Sequence, residues 1–158
     1  MTDAPEYGLV PHDTIKTMAG VDFLRAIMRG ELPLPPICRV LGFKPVEIEV
    51  GLAVFEGTPR GDFYNPLGTV HGGYAATLLD SAMGCAVHTT LKAGIGYTTL
   101  EFKINFVRPL SDATGPVRAE ARLIHAGTTI GTAEGKLLDG RGRLFAHATT
   151  TCLIFALP

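Results

Sequence analysis

Two periodicities divide the chain. Over residues 17–29, Val21, Leu24, Ile27 and Met28 recur at helical spacing and fall on one side, which predicts an amphipathic helix ended by Gly30. The segment LPLPPIC at 32–38 cannot prolong a helix and predicts an extended passage before a turn into LGF. From Gly42 the period drops to two. In KPVEIEVGLAVFEG, Val46, Ile48 and Val50 point one way while Glu47 and Glu49 point the other. In YTTLEFKINFVRP, Leu100, Phe102, Ile104 and Phe106 share one face, and Thr99, Glu101, Lys103 and Asn105 the opposite one, as in a half-buried strand. GPVRAEARLIHAG, TTIGTAEGKLLDG and RLFAHATTTCLIF follow, with turns at 125–127 and 139–142 short enough to predict antiparallel neighbours. Gly131, Ala133 and Gly135 make one face small, where a helix can come close.

Among these strands lies NPLGTVHGGYAATLLDSAMGCAVHTTL (65–91), apolar nearly all round beyond its paired glycines and predicted to be a buried helix. An antiparallel sheet of five strands with one apolar face can bury such a helix by curling around it, an α+β design. The expected organisation is an N-terminal helical extension over 1–41, beginning with a loose leader over 1–13, and one domain over 42–158.

Composition narrows the function classes. A chain of 158 residues favours one domain with a real core. With 46% hydrophobic and 18% charged residues it has no disorder signature, and a net charge of -1 supplies no field for nucleic acid or an anionic membrane. No apolar run reaches the roughly 20 residues of a membrane span. The opening MTDAPEYGLVPHD has no basic region ahead of an apolar one, so no signal peptide is expected. Cys38, Cys85 and Cys152 are odd in number and far apart, which predicts buried free thiols in a cytoplasmic protein and neither disulfides nor a zinc site.

Asp80 is the exception within the apolar stretch. On a helix over 72–91, Ala75, Leu78, Ala82 and Cys85 fall opposite it; Gly73, Ala76 and Gly84 surround it, flanked by Thr77, Met83 and Val87. Such small neighbours predict open space above the acid. No Lys or Arg occurs between 61 and 91, and an ionised carboxylate there is costly without a partner. Two readings follow: an acid on a surface seam or held by distant donors, or a general base tuned by partial burial and hydrogen bonds. At the helix start, the N–H groups of Gly72 and Gly73 lack intrahelical acceptors and lie at the positive end of the dipole. Without side chains they admit a ligand atom closely, and a carbonyl oxygen there would be polarised toward an oxyanion. Gly72 and Asp80 lie roughly 12 Å apart along a helix axis, although one reaction centre needs both within about 3 Å of reacting atoms. Two antiparallel helices from two subunits satisfy this, so an obligate homodimer with two shared sites is predicted.

With Asn65, the run from Gly68 through Thr69, Val70, His71, Gly72 and Gly73, then Asp80 and the strand TTLEFKINFVRP, the chain resembles hotdog-fold acyl-CoA thioesterases of the phenylacetate-degradation (PaaI) type over roughly residues 40–155. The resemblance implies a hotdog fold, an antiparallel sheet wrapped around one long central helix, and hydrolysis of an acyl-CoA thioester to free acid and CoA without cofactor or metal. It implies that Asp80 activates water or attacks the carbonyl, that the Gly72 N–H holds the carbonyl oxygen, and that Asn65 orients carbonyl or water. His71 would position the loop and assist the sulfur; Thr99 would help Asp80 hold water. Relatives of this kind are often tetramers, so the homodimer is expected to assemble further. Gly73, Met83 and Val87, with Phe63, Tyr64 and the helix at 21–28, are the expected acyl contacts. Arg108 is the first candidate for the CoA phosphates, ahead of Arg60, Arg118, Lys136, Arg141 and Arg143. The residues agree with hydrolysis at an acid: only Ser81 and Ser111 are serines, no G-x-S-x-G elbow exists, and the five histidines show no metal spacing. Two alternatives stay open, an enoyl-thioester hydratase or dehydratase using His71 with Asp80, and a non-catalytic acyl-CoA-binding protein.

Overall fold

The computed structural model describes residues 5–158. Three short helices come first: α1 His12–Thr17, α2 Gly20–Met28 and α3 Pro36–Leu41. The strands β1 Phe43–Glu49 and β2 Leu52–Gly57 follow, then the long helix α4 Gly72–His88, then β3 Ile95–Phe106, β4 Val117–Ala126, β5 Ile130–Asp139 and β6 Leu144–Ala156. All strand pairs are antiparallel, in the order β1-β2-β4-β5-β6-β3. The sheet curls around α4, whose Leu78, Leu79, Ala82, Met83, Ala86 and Val87 are wholly buried against it. This is the hotdog arrangement anticipated above.

The small face of β5 makes that contact possible. A Cβ added to Gly131 would stand 2.6 Å from Val87 Cγ1, and one on Gly135 3.1 Å from Leu79 and Met83. Both distances lie inside van der Waals contact, so glycine lets the helix axis sit this near the strand.

The structure differs from the expectations in four places. The sheet has six strands, because KPVEIEVGLAVFEG breaks at Gly51, where φ is +77°, into a hairpin. Val50 therefore lies in the turn and is 67% exposed. In β3 the register shifts between Thr99 and Glu101. The bulge turns Leu100 outward and leaves Thr99 on the inner face with Phe102 and Ile104. The helix expected over 17–29 is α2 alone, with α1 before it; its Leu24 and Ile27 are buried, as the periodicity predicts. The proline segment is extended only to Pro35, then prolines at Pro35 and Pro36 start α3 at the position where a missing N–H costs nothing.

Of the leader, residues 1–4 lie outside the described residues. The remainder is tied down: the Gly8 N–H donates to Leu34 O and the Leu34 N–H to Glu6 O, both at 2.9 Å. Arg25 of α2 binds β1, its Nε donating to Ile48 O (3.0 Å) and its Nη2 pairing with Glu49.

Candidate active site

His71 begins the central helix. Its backbone N–H donates to Phe63 O (2.7 Å), and its Nδ1 accepts from the Gly73 N–H (2.9 Å). This corrects the expectation of two free amides: Gly73 is capped. With Nδ1 accepting, the proton of the neutral ring sits on Nε2. The Gly72 N–H has no intrahelical acceptor and finds none elsewhere among the described residues. The lack of a side chain at Gly72 is used at once, since a Cβ there would meet Phe106 Cζ at 2.9 Å.

Asp80 is half-buried two turns on, and Thr99 Oγ1 donates to its Oδ1 at 2.9 Å. This bond depends on the β3 bulge, which aims Thr99 at the helix. The second carboxylate oxygen has no donor among the described residues, and the side of α4 that bears Asp80 is incompletely covered. Along that side, Gly72, Ala76, Thr77, Asp80 and Ser81 are only half-buried and Gly73 is exposed, although the opposite face is sealed. The space expected over Gly84 is filled by the Tyr97 ring, 2.7 Å from where a Gly84 Cβ would stand.

A cleft of about 430 Å³ joins His71 and Gly72 to Phe106 and Arg108. Arg108 is exposed there; its Nη1 donates to Leu144 O (2.6 Å) and its guanidinium lies 5.8 Å from the Phe145 ring centroid. Three of the other basic candidates are engaged elsewhere. Arg60 lies over Phe63 and near Asp62, Arg118 reaches Glu47 and Glu120, and Arg143 pairs with Asp139.

Five of the expected site residues are engaged within the chain. Met83 and Val87 are completely buried against β5, so they form core and offer no surface to an acyl group. Asn65 turns back on its own loop: Oδ1 accepts from the N–H groups of Leu67 and Thr69, and Nδ2 donates to Thr69 Oγ1 (2.9 Å). It shapes the entry to the helix. Phe63 stacks on Tyr74 with centroids 4.9 Å apart, and the Tyr64 hydroxyl donates to Asp112. Cys85, expected to be buried, is half-buried; burial of the thiol nonetheless pushes it up to about 12, which leaves no thiolate to act as a nucleophile.

Comparison with known proteins places the chain in a family. Residues 67–146, half of the chain, match the family model described as the thioesterase superfamily. The chain belongs to this family. It is a hydrolase of thioesters, and the matched segment runs from the loop before His71 through α4 into β6. A Saccharolobus solfataricus protein, named as an esterase by inference, is 31% identical over 112 residues, which cover 71% of this chain and 78% of that protein. Among solved structures, a phenylacetic acid degradation-related protein of Ralstonia eutropha JMP134 is 31% identical with a TM-score of 0.75, over 83% of this chain and 98% of its own. The PaaI protein from the phenylacetic acid degradation operon of Escherichia coli shares the fold at a TM-score of 0.74 and 19% identity, over 89% and 96% of the two chains.

Proposed function

We propose that the chain is an acyl-CoA thioesterase whose catalytic centre is shared by two subunits. The single observation that carries this reading is Asp80 itself. It is a half-buried carboxylate with one hydrogen bond from Thr99, one oxygen without a donor among the described residues, and a place on the incompletely covered side of α4. A thioester carbonyl is already activated, so a positioned carboxylate with an oxyanion donor suffices for attack by water. Asp80 either takes the proton of that water or attacks the carbonyl carbon directly. The Gly72 N–H, unpartnered at the positive end of α4, is the oxyanion donor.

Within one chain these two groups are eight residues apart on a straight helix, roughly 12 Å. The reading therefore requires that Gly72 of one protomer approach Asp80 of the other. Two features support such a homodimer. β3 is an edge strand of twelve residues, with Leu100 and Phe106 more than half exposed on it. The stripe of α4 that bears Asp80 is left uncovered by its own sheet. We assign the CoA phosphates to Arg108, because it lines the same cleft as Gly72.

Thiol release from a panel of acyl-CoAs tests the proposal. Asp80→Asn is expected to lower kcat by about 10² or more, typical of a positioned base, with the melting temperature unchanged. Undiminished turnover in Asp80→Asn would remove the mechanism. Enoyl-CoA hydration without thiol release would point to the hydratase instead.

A further inference from the structure

Beyond Asp80 the same line of α4 leads to a second cavity. Asp80, Gly84 and His88 recur every four residues and so lie in one row. Opposite that row, Thr99 touches Asp80 and the Tyr97 ring covers Gly84, with its centroid 5.2 Å from that of His88. Behind Tyr97 opens a space of about 500 Å³. Its floor is Cys85 and His88; its roof is Val10, Ile15, Phe23 and Ile27. The roof belongs to the N-terminal segment, which precedes the part of the chain that matches the family model.

The lining of this space is mostly apolar. The Phe23 ring packs on His88 at 5.7 Å, burial lowers His88 to about 4 so that it stays neutral, and the Cys85 thiol stays protonated. The lining holds no Asp, Glu, Lys or Arg, and besides His88 its one histidine is His12, so hydrocarbon is favoured over a charged occupant. Its near wall, Tyr97, lies one helical turn from Asp80 and its far end, at His88, two turns or about 12 Å away. An acetyl group held at Asp80 does not reach it; a medium-length acyl chain does.

We infer that this cavity, roofed by the N-terminal helices, takes the apolar tail of the acyl group, and that Tyr97 is the wall past which the tail enters. The inference rests on hydrolysis at Asp80 and adds the substrate class: thioesters of medium-length, uncharged acyl chains. Phe23 and Cys85 then determine specificity, through the room they leave.

Thiol release from acetyl-, hexanoyl- and decanoyl-CoA by the unaltered chain, Cys85→Phe and Phe23→Ala decides it. Each methylene taken into the cavity should raise kcat/KM roughly four-fold, the equivalent of about 0.8 kcal/mol. The unaltered chain should thus favour decanoyl- over acetyl-CoA by more than ten-fold. Cys85→Phe, which fills the floor, should lower that ratio at least ten-fold; Phe23→Ala, which raises the roof, should move the optimum to a longer chain. Should Cys85→Phe fail to fold, the Phe23→Ala profile decides alone. Hydrolysis with the same chain-length profile in all folded variants overturns the cavity assignment and leaves the reading of Asp80 standing. No thiol release from any of the three thioesters by the unaltered chain overturns both.

Discussion

At the scale of single residues, two histidines carry measurable consequences. His71 Nδ1 satisfies the Gly73 N–H, one of the orphan donors at the start of α4. His71→Ala should cost about 1 kcal/mol of stability in urea unfolding, and His71→Asn should recover most of it, since asparagine accepts at the same position. His88 is held neutral by burial between the Phe23 and Tyr97 rings, with its ionisation lowered to about 4. In the unfolded chain it titrates near 6.5. Between these values the unfolded state binds more protons, so stability falls as pH drops through this window and is level above it. The loss is on the order of 2–3 kcal/mol at pH 4. Urea midpoints at pH 7 and pH 4.5 should differ less in His88→Gln than in the unaltered chain. Neither role was legible in the sequence, where His71 reads as part of a loop motif and His88 carries little information.

At the scale of elements, the contact between α4 and β5 sets how tightly the sheet curls. Gly131→Ala places a methyl 2.6 Å from Val87 Cγ1, deep in a fully buried interface. It should destabilise by about 1–3 kcal/mol, the usual cost of overpacking. Adding Val87→Ala should cost less than the two single changes together, a coupling visible in a double-mutant cycle. The sequence foretold this contact, because a row of small residues at period two has one structural use beside a helix. It did not foretell the bulge that separates Thr99 from Glu101. A bulge is a property of a pair of strands, and alternation along one strand carries no trace of it. The consequence is specific: strict alternation puts Thr99 outside, and the bulge brings it to Asp80.

At the scale of the whole molecule, the proposed site is incomplete in one chain. The edge of β3 and the half-covered stripe of α4 are both available to a second copy. Leu100, exposed on that edge, is the place to interfere. Leu100→Asp should shift the sedimentation coefficient to that of a monomer and lower thiol release together with it. A monomer that kept full turnover would show that Gly72 and Asp80 act otherwise than across subunits. No helix among the described residues is long and apolar enough to cross a membrane.

The one-dimensional pattern determined the central helix, most of the strands and the presence of an anomalous acid on that helix. Period, glycine pairs and a lone carboxylate are local properties, and a reader of residues meets them directly. Direction was decided only in three dimensions. A helical wheel orders the azimuths of α4 but does not say which of them the sheet covers, so Met83 and Val87, flanking Asp80, looked fit for a substrate, and Cys85 and His88 did not. The sheet covers the first pair and the N-terminal helices leave room over the second. Gly73 and Asn65 likewise looked free until the folded loop supplied their hydrogen-bond partners. Which surfaces are consumed by packing is a property of the assembled layers, and no spacing along the chain records it.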